Sequence, residues 1–313
     1  MTLQDVANRA SVSLSTASKA LKGSYDVSEE TRRRVMEAAR ELGYFRKKKQ
    51  LTLTNHLPGG WCIAILSPEI ASPYYNSITQ MLTQAAKEQG CQVLFFETGF
   101  DESTVHAIAR ECVDNPRINA IISFSSIKDE LATDTVPIIT MGTSSRRFTQ
   151  IETSLDDALS AIQEAYPADI SVAIVGEQLT AQRHQIIRRY FPHATILSGC
   201  DRYDVAGQQA ADKLLAMPTL PRLVFCTYDE IAYGLIDRLT QKGVRIPEDI
   251  EVIGINDSYS SQWVHGGLST IAFDYGDVFQ DVIRDIARDL QYLGFHVRHY
   301  QVHSRFVRRK TTK

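Results

Sequence analysis

From Trp61 to Val307, short apolar runs alternate with longer amphipathic stretches, and this alternation leaves the chain few possible architectures. The apolar runs predict strands over 61–66, 91–97, 120–124, 137–141, 171–175, 195–198, 223–226, 251–255, 268–273 and 299–307. Between them, apolar residues at helical spacing predict helices over 73–89, 103–113, 156–166, 182–191, 204–217, 230–243 and 277–292. Strand and helix in regular succession is the pattern of a parallel sheet covered by helices. The length allows two such lobes, about 61–150 with 272–295 and about 151–271 with 296–313. In open α/β sheets a ligand binds outside the carboxyl ends of the strands, so a small-molecule site is expected there, in the cleft between the lobes.

The first 45 residues read differently. Leu3, Val6, Ala7 and Ala10 give a first helix one apolar face, and Ser11 and Ser13 bracket Val12 in a break. Ser13 is placed to accept from the first amides of a second helix, 14–22. Ala17, Ala20 and Leu21 face inward there, and Leu14, Ser15, Ser18, Lys19 and Lys22 are left outside. Small residues let two helices cross closely, and a small, polar, basic outer face suits a helix entering a DNA major groove. A third helix starts at Ser28, with Glu29 and Glu30 at its positive end and Val35, Ala38, Ala39 and Leu42 as its inner stripe. The head is a small all-α helix-turn-helix unit with 14–22 as its recognition helix. Any small helical hairpin shares part of this pattern.

Charge supports the DNA reading. Residues 1–50 hold 11 Lys/Arg against 6 Asp/Glu, leaving 23 basic and 31 acidic residues for the rest of a chain with net charge −3. A basic head on an acidic body points the head alone at a polyanion. A linker over 46–60 begins with Arg46, Lys47, Lys48 and Lys49 and ends at Gly60. Its lysines are either phosphate contacts, which add affinity without sequence information, or part of a plain tether.

Five widely spaced cysteines (Cys62, Cys91, Cys112, Cys200, Cys226) read as buried free thiols. No apolar run is long enough to span a membrane, and no charged-then-apolar signal segment follows Met1, so a cytoplasmic, nucleoid-associated protein is expected.

The motifs carry a resemblance. T-L-x-D-V-A is followed by A-x-V-S-x-S-T-A-S-K-A-L and by V-S-x-x-T-R-x-R-V-x-x-A-A-x-E-L-G-Y ending at Tyr44. S-P-x-x-x-x-P-Y-Y ends at Tyr75, Y-D-E-I-A-Y-G begins at Tyr228, and K-G-V-R-I-P-E-D-I-E-V-I-G-I-N-D runs from Lys242 to Asp257. With L-S-T-I at Leu268, these resemble the lactose-repressor/galactose-repressor family of bacterial transcription regulators over nearly the whole chain.

The resemblance implies a homodimer on palindromic double-stranded operator DNA and a two-lobed body like a periplasmic sugar-binding protein. It implies base reading by Leu14, Ser15, Ser18 and Lys19, and backbone anchoring by Thr2, Thr16 and Ser28 at helix starts. It also implies a hinge helix whose leucine, Leu53 here, wedges into the minor groove. Arg46, Lys47 and Gln50 stand where the family has Pro, Asn and Ala, Lys22 where it has Asn, and the segment 156–171 is shorter than usual. Thr52 and Thr54 are poor helix formers, so phosphate holding by the lysines is a second reading of the hinge.

At the effector site the resemblance places Arg183 as a clamp and Asn256 with Asp257 after a strand that supplies an acidic contact. Asp229, after Tyr228, begins a helix facing the cleft. Tyr74 and Tyr75 border a ring, and Arg202 lies where relatives place an aromatic. Structural duties compete for the same residues: a helix cap for Asp229, an ion pair for Arg183, packing for the tyrosines. A hydroxylated effector is expected, and two arginines admit a sugar acid or sugar phosphate.

Two other classes fit the sequence less well. A transport-type binding protein conflicts with the attached head and the missing signal segment. An α/β enzyme conflicts with the absence of a G-x-G-x-x-G after a strand, a phosphate loop, or a nucleophile–histidine or paired-carboxylate motif. Neither a cofactor nor a metal is expected.

Overall fold

The computed structural model describes residues 2–21, 27–42, 44, 60–133, 135–142, 145–199, 201–292 and 295–313. The chain divides into two compact units: Met1–Ile70 with Leu82–Gln150 and Gln280–His299, and Ala71–Met81 with Ile151–Phe279 and Tyr300–Lys313. The changes of unit fall at 150/151, 279/280 and 299/300, beside the sequence-based 150/151, 271/272 and 295/296, and 71–81 goes with the second unit.

The head is three helices, α1 (Leu3–Arg9), α2 (Leu14–Leu21) and α3 (Glu29–Glu41). Val6, Ala7, Ala10, Ala17, Ala20, Val27, Val35, Ala38 and Ala39 form its buried core. The turn between α1 and α2 is set by hydrogen bonds. The Ser11 amide donates to the Asn8 carbonyl at 3.2 Å and the Val12 amide to the Ala7 carbonyl at 3.0 Å, satisfying two carbonyls that the helix end orphans. This closure requires a left-handed residue at Ser11, which has φ 53° although serine lacks glycine's freedom there.

β1 (Cys62–Ser67), β2 (Gln92–Glu97), β3 (Ala120–Ser123) and β4 (Ile138–Met141) of the first unit form one sheet with β5 (Thr149–Thr153) and β11 (His299–Val302), at which the chain changes unit; its order is β11-β5-β4-β3-β1-β2. β1 runs parallel to β2 and β3, with Ile63 opposite Val93 and Ala120. The helices α4 (Pro73–Glu88) and α5 (Glu102–Asp114) connect its first strands. Val105, Ala109 and Cys112 of α5 pack on Ala64, Leu66, Ile121 and Ile138.

The second sheet has the order β12-β10-β9-β8-β6-β7, from β6 (Val172–Glu177), β7 (Thr195–Gly199), β8 (Leu223–Cys226), β9 (Glu251–Ile255), β10 (Ser269–Phe273) and β12 (Ser304–Val307). β6 to β10 are parallel and β12 is antiparallel to β10, with Thr270 opposite Val307. Successive residues of a strand face opposite ways. Accordingly Ile174, Phe225 and Ile253 pack with α6 (Asp156–Ala165) and α7 (Ala181–Tyr190). Ala173, Val175, Val224 and Val252 pack with α8 (Tyr203–Leu215) and α9 (Asp229–Gln241). α8 and α9 touch backbone to backbone. A Cβ on Gly207 would lie 2.0 Å from the Ile231 carbonyl oxygen, and one on Gly234 1.9 Å from that of Asp204.

Two sequence expectations need correction. The single strand over 299–307 is two strands, β11 and β12, in different sheets. β5 was not foreseen at all. Its sequence, Thr-Gln-Ile-Glu-Thr, carries too few apolar residues to stand out. The helix α10 (Tyr275–Tyr292) begins two residues before the expected 277. Four of the five cysteines are buried and free, and Cys200 lies outside the described residues. Among the described residues, no helix is long and apolar enough to cross a membrane.

Candidate functional site

On α2 the outward residues are those expected. Leu14 is 46 % exposed, Ser15 and Lys19 are exposed, and Ser18 is half-buried. Ser13 fixes the start of this helix by accepting from the Thr16 amide at 3.0 Å, and the two hydroxyls share a 2.8 Å hydrogen bond. Thr2 caps α1, accepting from the Asp5 amide at 3.3 Å while the Asp5 carboxylate accepts from the Thr2 amide at 2.6 Å. Ser28 accepts from the Thr31 amide at 3.3 Å. Thr2, Thr16 and Ser28 therefore all sit at helix starts, where the positive ends of helix dipoles favour phosphate. Lys22, Lys47, Lys48, Lys49 and Leu53 lie outside the described residues.

In the second unit the chain turns from β6–β7 to β8 on opposite sides of β6, the switch point where α/β sheets bind ligands. Polar side chains gather at the carboxyl ends there. The Arg183 guanidinium, on α7, donates to the Thr227 carbonyl and, at 3.1 Å, to Asn256 Oδ1. It also lies over the Tyr74 ring, 5.8 Å from its centre. The Tyr74 and Tyr275 hydroxyls share a 2.9 Å hydrogen bond, and Tyr75 packs against Tyr74 at 5.1 Å. Asn256 and Asp257 have φ of 108° and 51°, so β9 ends in two left-handed residues, a costly conformation held by its surroundings.

A second group forms on Glu177, which is 4 % exposed. It accepts from the Tyr228 hydroxyl at 2.9 Å and from Arg202 Nε at 3.2 Å, while Tyr228 in turn accepts from the Tyr203 amide at 2.9 Å. Arg202 also lies 4.7 Å from the centre of the Tyr203 ring. The Thr180 and Thr227 hydroxyls, 2.9 Å apart, lie between this group and the first.

Asp229 and Asp257 are otherwise engaged. Asp229 has no exposed surface, accepts from the Ser258 amide and the Thr270 hydroxyl at 2.6 Å each, and fills the space left by Gly254, whose Cβ would lie 2.2 Å from Oδ1. Burial pushes its carboxyl up to about 7, against the pull of those donors. Its neighbour Glu230, accepting from the Ser258 hydroxyl at 2.8 Å, is also raised by burial. Asp257 pairs with Arg309 at 2.7 Å.

The structure thus brings Tyr74, Tyr75, Arg183 and Asn256 together, joins Tyr228 to Arg202, and gives Asp229 and Asp257 partners of their own. Glu177, Thr180, Thr227, Glu230 and Tyr275 were not foreseen. Only Glu177 had a signal, a carboxylate directly after an apolar strand. In the first unit the carboxyl ends carry buried hydroxyls at Ser67, Thr98, Ser123 and Thr140. Among the described residues, no three His, Cys, Asp or Glu side chains cluster as a metal site requires.

A helix-turn-helix head on a body with two α/β sheets is an architecture suited to a DNA-binding regulator that senses a small molecule. Residues 2–47 match the family described as "Bacterial regulatory proteins, lacI family", and residues 173–312 match the "Periplasmic binding protein-like domain". The probable transcriptional repressor ExuR of Bacillus subtilis is 26 % identical over 293 residues, 87 % of this chain and 86 % of its own length. The structure of the lac repressor dimer bound to operator and an anti-inducer superposes with a TM-score of 0.70 at 22 % identity, over 100 % of this chain and 99 % of that one. A LacI-family regulator from Enterococcus faecalis, solved with ribose, gives 0.68 at 18 % identity, over 80 % and 98 %. The chain thus combines a lacI-family head with a periplasmic-binding-protein-like domain, and over most of its length it is similar to lactose-repressor/galactose-repressor regulators. The matched relatives are described as transcriptional regulators.

Proposed function

We propose that the chain is a repressor that binds a palindromic operator as a homodimer and whose affinity is changed by a small metabolite. The observation that carries this is the outer face of α2, small, polar and basic, on a head that matches the family. In this reading Leu14 meets a thymine methyl, and Ser15, Ser18 and Lys19 reach base edges. Thr2, Thr16 and Ser28 anchor on phosphate, with Lys22, Lys47, Lys48 and Lys49 adding charge and Leu53 entering the minor groove. The head is residues 1–45, the linker 46–60 and the effector-binding and dimerisation body 61–313. The protein acts in the cytoplasm at the nucleoid.

The effector is a sugar, sugar acid or sugar phosphate at the carboxyl-end cluster of the second unit. Tyr74 and Tyr75 border it, and Arg183, Asn256 and Arg202 face its polar groups. Tyr228, Asp229 and Asp257 shape the site from behind. The ribose-bound relative and the density of hydroxyl, amide and guanidinium groups support a hydroxylated ligand. Fluorescence anisotropy on a palindromic duplex from beside the protein's own gene, against a scrambled duplex, tests the reading. Saturation at two chains per palindrome with strong preference over the scrambled duplex is expected; equal affinity for both sequences refutes it.

A further inference from the structure

A pocket of about 410 Å3 lies in the first unit, at the amino ends of β4 and β5. That is the opposite end of the strands from Ser123 and Thr140, and none of its lining belongs to the unit that carries Arg183. Its volume is in the range of small-molecule sites. Its floor is apolar, with Val136, Ile138 and Phe148 all buried. Its rim is basic, with Arg146, Arg147 and His296.

Among the described residues no acid pairs with either arginine, and the acids nearby have other partners. Asp129 accepts from the Ser145 hydroxyl at 2.6 Å, and Glu130 is held by His106 at 2.9 Å and Arg110 at 3.4 Å. Asp289 accepts from both terminal nitrogens of Arg298 at 2.7 Å and from the His296 amide at 3.1 Å, and its carboxylate lies 3.5 Å from His296 Nδ1. The charge of Arg146 and Arg147 is therefore uncompensated by described residues.

Both walls are tied in place. The Arg147 amide donates to the Ser145 hydroxyl at 3.0 Å, and the Gln150 side chain donates to the Ser145 carbonyl. The Thr149 hydroxyl donates to the His296 carbonyl at 3.3 Å and accepts from the Arg298 amide at 3.1 Å, stapling the 145–149 turn to the 295–298 segment. A pocket fixed before the ligand arrives loses little ordering entropy on binding.

We propose that this pocket is a second small-molecule site, for an organic carboxylate with a compact apolar body. The body packs on Val136, Ile138 and Phe148, and the carboxylate meets guanidinium groups whose planar forks match its geometry. The site is independent of the effector cluster, so its fate does not depend on the function proposed above.

Calorimetry on the full chain tests it with 4-methylbenzoate as the probe. The neutral 4-methylbenzamide lacks the charge, and inorganic phosphate lacks the apolar body. One 4-methylbenzoate per chain is expected, with at least about tenfold weaker binding of the amide and in an Arg146→Gln/Arg147→Gln variant, since charged hydrogen bonds are lost. Both arginines are exposed, so that variant keeps the fold, which circular dichroism checks. Arg183→Ala retains full probe binding, and phosphate does not displace the probe. The proposal is overturned by no saturable binding, by equal affinity in the double variant, by loss in Arg183→Ala, or by displacement at equimolar phosphate.

Discussion

Asp229→Asn is expected to stabilise the protein at neutral pH. The Asp229 carboxyl is fully buried, no cation among the described residues pairs with it, and its folded value is about 7 against an ordinary 3.8. A group raised on folding contributes its full stability below the unfolded value and loses it as pH rises through the folded value. The wild-type chain therefore loses this contribution between pH 3.8 and about 7. The gap is a little over three pH units, which at about 1.36 kcal/mol per unit comes to about 4 kcal/mol. Asparagine mimics the protonated acid: its oxygen can accept from the Ser258 amide, and its NH2 can donate to the Thr270 hydroxyl, which now donates to Asp229 at 2.6 Å. The assay is urea unfolding of both proteins followed by tryptophan fluorescence across this range. Titrating groups that do not interact with Asp229 cancel in the difference between the two curves, and the neighbouring Glu230, whose charge also raises Asp229, adds to the same effect. That difference is expected to move by about 4 kcal/mol in favour of the variant from about pH 4 to about pH 8. A flat difference, or a variant less stable at about pH 8, refutes the burial argument.

Three further outcomes follow from particular contacts. Ser11→Gly relieves a left-handed serine at the end of α1, with an expected gain of about 1 kcal/mol and slower hydrogen exchange at the Val12 and Ala17 amides; unchanged exchange counts against it. Arg183→Ala removes the donor to Asn256, with an expected loss of about tenfold or more in effector affinity by calorimetry and unchanged operator affinity in the effector's absence. Changing Lys47, Lys48 and Lys49 together to Ala is expected to weaken binding to all DNA sequences and to flatten the slope of log affinity against log salt by about 2.7; an unchanged slope removes them from the phosphate contacts.

The α/β alternation was legible because buried parallel strands are largely apolar runs, as in the first four residues of Val172–Glu177 and in Leu223–Cys226. The head was legible because its small inward residues and caps are local in sequence. What escaped was non-local. β5 is too polar to announce itself, and nothing in the run over 299–307 says that its two ends join different sheets. Asp229 read equally as a helix cap or a ligand contact, because the hydroxyl it accepts from, Thr270, is 41 residues away. Glu177 gained meaning only once Tyr228, 51 residues on, was seen to donate to it.

The central claim is that one chain couples a DNA-reading head to a metabolite site. The most direct test is to measure operator affinity with and without each member of a panel of sugars, sugar acids and sugar phosphates, and the affinity of any active compound with and without operator. Two distinct linked sites must change each other's affinity by the same factor, typically about 5- to 150-fold. An active compound showing that equal, reciprocal factor, abolished by Arg183→Ala, is the predicted result. A compound that binds the body tightly in the wild-type chain yet leaves operator affinity unchanged contradicts the account.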